Sequence, residues 1–313
     1  MNATPVLQVG GLLPALEAEL TDEFDRRVYD QAAPLSPEAA AEIRIAVTSG
    51  RTGLKADLID QLPNLELVAN FGVGYDGNDT QALAARGIKL TNTPDVLNAC
   101  VADTALGLLL AAFRQFPEAE RFTRAGGWAE GRNYPLTRRF SGSTIGILGM
   151  GRIGAEVATR VEGFGCEVLY HNRRPVEGSS AEYVDSLVEL ARRSDALVIT
   201  VLGGPSTKHL VNAEVLEALG PDGILVNVAR GTVVDEQALI AALESDALGG
   251  AGLDVVEDEP NVPAALLDKP NVVVFPHVGS GTHETRADMK NLVLANIRAY
   301  LAGEELLTPV ALS

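Results

Sequence analysis

Short runs of β-branched and aliphatic residues, each closed by turn residues, recur from the start of the chain at positions 6–9, 43–48, 65–71 and 88–91. Between them the apolar positions take helical spacing, as over 15–20 and 54–61. Continuous apolar strands alternating with amphipathic helices predict a parallel sheet covered on both faces. A second, stronger series begins near residue 143, with strands expected at 144–148, 167–170, 196–201, 224–228, 252–255 and 272–275. Six such units describe a complete doubly wound domain. Between the series, 98–124 reads as a long helix with Asn98 as its N-cap, an apolar stripe through Val101, Leu106, Leu109 and Phe113, and an end or kink at Pro117. Helical spacing returns over 284–301 and stops at Gly303, a tail able to pack back on the first domain. The expected architecture is α/β, with two doubly wound parallel-sheet domains: residues 98–283 are inserted into a discontinuous domain made of 1–97 and 284–313.

The length of 313 residues agrees with two cores rather than one. An apolar fraction of 46% and a charged fraction of 21% exclude a disordered chain. The net charge of −17 argues against nucleic acid or an anionic membrane as a partner, because the general surface repels polyanions. Any anionic ligand therefore needs a local basic pocket. The two cysteines, Cys100 and Cys166, have no zinc-binding spacing. His171, His209 and His283 likewise form no metal motif, so no metal is expected. Residues 1–20 lack the basic start and apolar run of a signal peptide, and no apolar stretch is long enough to span a bilayer. A reduced, cytoplasmic location follows as the expectation.

Gly149-Met150-Gly151-Arg152-Ile153-Gly154 directly follows the strand at 144–148 and opens a helical segment. In that setting the three glycines allow a tight turn, close approach of a pyrophosphate and close helix packing, and the helix N-terminus favours anionic oxygens. A dinucleotide is the expected ligand. An NAD site usually carries Asp or Glu about 20 residues further on, for the adenosine ribose. Here the next strand runs into His171-Asn172-Arg173-Arg174, and Glu167 lies at the wrong end of it. Two arginines at that place suit a 2′-phosphate, so NADP(H) is favoured, with NAD(H) as a weaker alternative.

Three later strands end near polar groups of distinct type: Arg230 in Asn227-Val228-Ala229-Arg230-Gly231, Glu259 in Glu257-Asp258-Glu259-Pro260, and His277 in Pro276-His277-Val278-Gly279-Ser280. Loops at strand C-termini form the ligand crevice of doubly wound sheets. Together with Asn70-Phe71-Gly72-Val73-Gly74-Tyr75-Asp76 and the glycine loop, these motifs make the chain resemble the D-isomer-specific 2-hydroxyacid dehydrogenase family over nearly its whole length. Within that family it is similar to the glyoxylate/hydroxypyruvate and hydroxyphenylpyruvate reductases.

The resemblance implies Rossmann-like domains, with the inserted domain binding NAD(P) and the discontinuous one binding substrate. It implies that Arg230 pairs with a substrate carboxylate, that Glu259 orients His277, and that His277 is the general acid. Backbone amides of Val73 and Gly74 would also meet the carboxylate, with Ser280 beside it. Leu202, Val228, Asp254 and Gly279 would line the nicotinamide half. Arg152, Ile153 and His171 through Arg174 would line the pyrophosphate and adenosine half. The implied reaction is NADPH-dependent reduction of glyoxylate or hydroxypyruvate to the D-2-hydroxy acid, in a homodimer. Hydroxyphenylpyruvate or 2-ketogluconate reduction, or a non-catalytic dinucleotide-sensing role, are the alternatives. Gly203-Gly204-Pro205-Ser206-Thr207 departs from the family's usual Pro-Leu-Thr turn.

Overall fold

A computed structural model describes residues 3–312 and divides the chain into two compact units, residues 1–97 with 282–313, and residues 98–281. In the first, β1 (Pro5–Gln8), α1 (Pro14–Glu23), β2 (Asp25–Val28), α2 (Pro37–Ala41), β3 (Ile45–Ser49), α3 (Ala56–Gln61), β4 (Leu67–Phe71), α4 (Thr80–Ala85) and β5 (Lys89–Thr91) alternate. The five strands pair in parallel in the order β2-β1-β3-β4-β5. β1, β3 and β4 are central, with Leu7, Ala46, Val47, Leu67 and Val68 fully buried, which is why they read as unbroken apolar runs. β2 is an edge strand of sequence Asp-Arg-Arg-Val, and it carries no such signal.

The second unit opens with α5 (Asn98–Arg114) and α6 (Phe116–Arg124). Asn98 is the first helical residue rather than the N-cap. The expected single helix breaks at Gln115, whose backbone is left-handed (φ 48°), and Pro117 then sits in the first turn of α6, where its missing N–H costs nothing. The break turns the axis by 60°, and no single helix among the described residues is long and apolar enough to cross a membrane.

There follow β6 (Thr144–Leu148), α7 (Arg152–Glu162), β7 (Glu167–His171), β8 (Glu182–Tyr183), α8 (Leu187–Arg192), β9 (Ala196–Ile199), α9 (Ala213–Leu219), β10 (Ile224–Asn227), α10 (Glu236–Glu244), β11 (Gly250–Leu253), α11 (Ala264–Leu267) and β12 (Val272–Val274). They form a parallel seven-stranded sheet in the order β12-β11-β10-β9-β6-β7-β8, one strand more than the six expected. The added strand, β8, is a two-residue edge too short to show periodicity. Strand order reverses direction between β6 and β9, the topological switch point at which doubly wound sheets bind ligands. The last helix, α12 (His283–Ala302), belongs to the first unit. Thr282 caps it by accepting from the Thr285 N–H, and Gly303 ends it in a left-handed conformation (φ 72°).

Candidate active site

The register of the second sheet sets the candidate residues in order. Val274, Leu253, Asn227, Ile199, Leu148 and His171 are direct partners across six neighbouring strands. At ordinary strand spacing that row is about 24 Å long. The candidates of this unit lie in the row, as His171 does, or within six residues beyond it. His277 follows β12, Asp254 and Glu259 follow β11, and Val228 and Arg230 follow β10. Leu202 follows β9, the glycine loop follows β6, and Asn172 through Arg174 follow β7.

At one end of the row, His277 Nδ1 lies 2.8 Å from Glu259 Oε2. The pair is partly screened from solvent, with side-chain exposures of 32% for His277 and 17% for Glu259. The imidazole sits on left-handed backbone (φ 55°), unusual for a side-chain-bearing residue. Asp254, 2% exposed, holds that conformation in place. Its backbone carbonyl accepts the His277 N–H at 2.9 Å, and its two carboxylate oxygens accept the N–H groups of Val278 at 2.7 Å and Gly279 at 2.8 Å. The structure thus places Asp254 and Gly279 against each other, as supports of the histidine loop. The acidic run 257–259 is no plain solvated stretch. Glu257 reaches His209, Asp258 accepts from the Asn261 side chain, and Glu259 reaches His277.

Arg230 is placed by Asn227, a buried amide (1% exposed) that the sequence reading passed over. Its Nδ2 donates to the Arg230 carbonyl at 2.8 Å and its Oδ1 accepts from the Ala229 N–H at 3.0 Å, closing the turn. Arg230 Nη1 in turn donates to the Ala229 carbonyl at 2.8 Å. Gly231 comes so close to the next loop that a Cβ there would lie 2.0 Å from the Val256 carbonyl. The loops after β10 and β11 therefore pack backbone to backbone. Val228 is buried and Leu202 is 55% exposed, so of the apolar pair only Leu202 presents a wide face to solvent.

The glycine loop meets the physical demands of a pyrophosphate turn. Gly149 has φ 106°, and a Cβ on Gly154 would lie 2.2 Å from the Gly149 carbonyl, so α7 can close on the loop only without side chains there. Around Gly151, the N-cap of α7, no atom lies within 4 Å of a built Cβ, which leaves an open approach to the helix N-terminus. Arg152 is exposed beside it and Ile153 is half-buried.

Asn172 braces this loop, while the His171 side chain ties the end of β7 to β8 and the residue after it. Asn172 Oδ1 accepts the Met150 N–H at 2.8 Å, and His171 Nδ1 lies 2.8 Å from the Val184 carbonyl while its ring stacks on Tyr183. Arg173 and Arg174 are exposed, and among the described residues neither has a carboxylate at ion-pair distance. Arg160, Arg192 and Arg193 of the same unit are each tied to glutamate or aspartate.

In the first unit, the turn after β4 that carries Val73 and Gly74 is held from behind by asparagines. Asn70 Nδ2 donates to the carbonyls of Gly72 and Gly74, each at 3.0 Å, and Asn92 Nδ2 donates to the Val73 carbonyl at 2.9 Å. Asn78 Nδ2 donates to Asn70 Oδ1 at 3.1 Å, and both amides are buried. With the carbonyls tied back, the N–H groups of Val73 and Gly74 donate no hydrogen bond among the described residues. Such a turn can receive an anion. Sequence reasoning missed Asn78 and Asn92 altogether, since their partners lie at irregular separations.

A doubly wound sheet with a glycine loop at its switch point and a histidine–carboxylate pair on neighbouring strands is the frame of a nucleotide-dependent oxidoreductase. Comparison with known proteins narrows that class. The family described as D-isomer specific 2-hydroxyacid dehydrogenase, NAD binding domain, matches residues 106–279. A hydroxyphenylpyruvate reductase of Plectranthus scutellarioides is 46% identical over 313 residues, covering 99% of this chain and all of that protein. A glyoxylate/hydroxypyruvate reductase of Arabidopsis thaliana is 43% identical, with 99% of this chain and 100% of that protein covered. Among solved structures, the NADPH-dependent glyoxylate/hydroxypyruvate reductase of Sinorhizobium meliloti in complex with NADP and malonate superposes with a TM-score of 0.94. It is 45% identical, with 99% of this chain and 97% of that chain covered. The chain belongs to the D-isomer-specific 2-hydroxyacid dehydrogenase family.

Proposed function

We propose that the protein reduces a small 2-oxo acid, glyoxylate or hydroxypyruvate, to the D-2-hydroxy acid with NADPH. The observation that carries this reading is the 2.8 Å contact between His277 Nδ1 and Glu259 Oε2 at the ends of adjacent strands. With Nδ1–H donated to the carboxylate, the imidazolium form carries its other proton at Nε2. Reduced nicotinamide, when bound, supplies the hydride to the carbonyl carbon. His277 delivers the proton that the carbonyl oxygen must gain, Glu259 fixes the ring, and Arg230 pairs with the substrate carboxylate. Asp254 keeps the histidine loop in place.

The open N-terminus of α7 suits the pyrophosphate, and Arg173 and Arg174, with no carboxylate at ion-pair distance among the described residues, suit a 2′-phosphate in a chain that is otherwise strongly acidic. The test is a panel of glyoxylate, hydroxypyruvate, hydroxyphenylpyruvate and 2-ketogluconate assayed with NADPH and with NADH. Glyoxylate or hydroxypyruvate with NADPH is expected to give the highest kcat/KM, and a higher value with NADH would remove the cofactor assignment. The likeness to hydroxyphenylpyruvate reductase supports a second reading in which an aryl 2-oxo acid is the better substrate. A cytoplasmic homodimer completes the proposal. Exposed Phe116, Trp128 and Leu136 in one stretch of the second unit support a subunit interface there, since such side chains are costly to leave in water.

A further inference from the structure

Three loops leave the neighbouring strands β9, β10 and β11, and one residue touches all three. His209, in the loop after β9, donates its backbone N–H to the Thr232 carbonyl at 2.8 Å, two residues past Arg230. Its ring Nε2 lies 3.0 Å from Glu257 Oε1, two residues before Glu259. The His209 backbone is left-handed (φ 51°), a conformation that aims main chain and side chain at different neighbours. The other side of this junction is also fixed. Buried Glu236, at the start of α10, accepts the Glu257 N–H at 3.1 Å, and Asp235, its N-cap, donates its own N–H to the Val211 carbonyl at 2.9 Å. Gly231 against the Val256 backbone leaves no slack between the two loops.

We infer that His209 is a positioning residue, a clasp that sets the loop carrying Arg230 against the loop carrying Glu259. The inference rests on the proposed roles of Arg230 and Glu259. A hydrogen bond between side chains 37% and 30% exposed is too accessible to be a large stability element, so its effect belongs to geometry. Displacing a loop of the reacting centre by a fraction of an ångström is enough to slow turnover severalfold or more.

The experiment compares His209→Asn, His209→Gln, Glu257→Ala and the double variant His209→Asn/Glu257→Ala in the full-length chain. Asparagine keeps the left-handed backbone but is too short to reach Glu257, whereas glutamine restores a donor near the original position. The clasp predicts that His209→Asn lowers kcat for the 2-oxo acid about tenfold while the NADPH KM changes less than about twofold. His209→Gln recovers most of that loss, and the double variant is no slower than the slower single variant. Amide hydrogen exchange over residues 231–234 and 255–258, read on the same proteins without substrate, accelerates in His209→Asn and not in His209→Gln. Unchanged exchange in a His209→Asn protein beside an active wild type overturns the clasp alone. So do losses that multiply in the double variant. Faster exchange beside a wild type that turns over no 2-oxo acid upholds the clasp and overturns the proposed function.

Discussion

The strand ends of the two sheets are built on opposite plans. In the second unit, backbone is the scaffold and side chains are presented. The amides of Val278 and Gly279 are anchored so that His277 faces Glu259, and the turn that carries Arg230 after β10 is closed by Asn227. In the first unit, side chains are the scaffold and backbone is presented, as Asn70, Asn78 and Asn92 tie back carbonyls around Val73 and Gly74. A single substitution should therefore remove chemistry in one unit and remove architecture in the other.

The sharpest break comes from His277→Ala, which should lower kcat on the order of 10³-fold with NADPH affinity nearly unchanged. Fluorescence titration of NADPH beside steady-state kinetics reads both, and unimpaired turnover would take His277 out of the mechanism. Arg230→Lys should lower kcat/KM for the 2-oxo acid about 100-fold, because an ammonium lacks the planar fork that matches a carboxylate. An equal effect on the NADPH KM would assign Arg230 to the cofactor instead. For the architectural unit, Asn70→Ala leaves two carbonyls and the Asn78 amide without their donor or acceptor, and should cost about 2 kcal/mol in a urea titration. Stability equal to wild type there would erase the contrast between the units. Replacing both Arg173 and Arg174 by alanine should raise the NADPH KM about tenfold and leave the NADH KM alone.

The smallest effect concerns Glu17, whose carboxyl is held below its ordinary range first by the Gln8 side-chain amide, then by the Leu12 N–H, with Arg26 assisting. A group depressed in the folded state contributes above its unfolded pKa, and the contribution is lost as pH falls through the folded value. Glu17→Gln should cost about 1 kcal/mol or less near neutrality, and the gap to wild type should close as the pH falls below the unfolded value of 4.5. A gap that widened in acid would contradict the assignment.

The central strands were legible because both of their faces are buried and the apolar run is continuous. β2 and β8 were not, since an edge strand such as Asp25–Val28 is solvated and has nothing to repeat. Helix α5 was legible from its stripe, but its end was not. Proline drew the reading to position 117, whereas the chain turns two residues earlier at Gln115. Of the candidate site, the glycine loop and the histidine, glutamate and arginine motifs could be read because each is a short local pattern. Asn227, Asn78, Asn92 and the His209–Glu257 pair could not. Their partners are backbone carbonyls or residues tens of positions away, and an isolated asparagine or histidine looks the same whether it braces a loop or faces water.

The absent side chain at Gly231 decides where this protein could be redesigned. Any Cβ there would collide with the Val256 main chain, which no rotamer can relieve, so the loops after β10 and β11 vary together or not at all. Libraries aimed at a new substrate would return unfolded or inactive clones from position 231. The exposed stretch around Leu202, Pro205 and Ser206, closed on itself by the Thr207 hydroxyl donating to the Leu202 carbonyl and fixed at its far end by His209, is where altered lengths have more room.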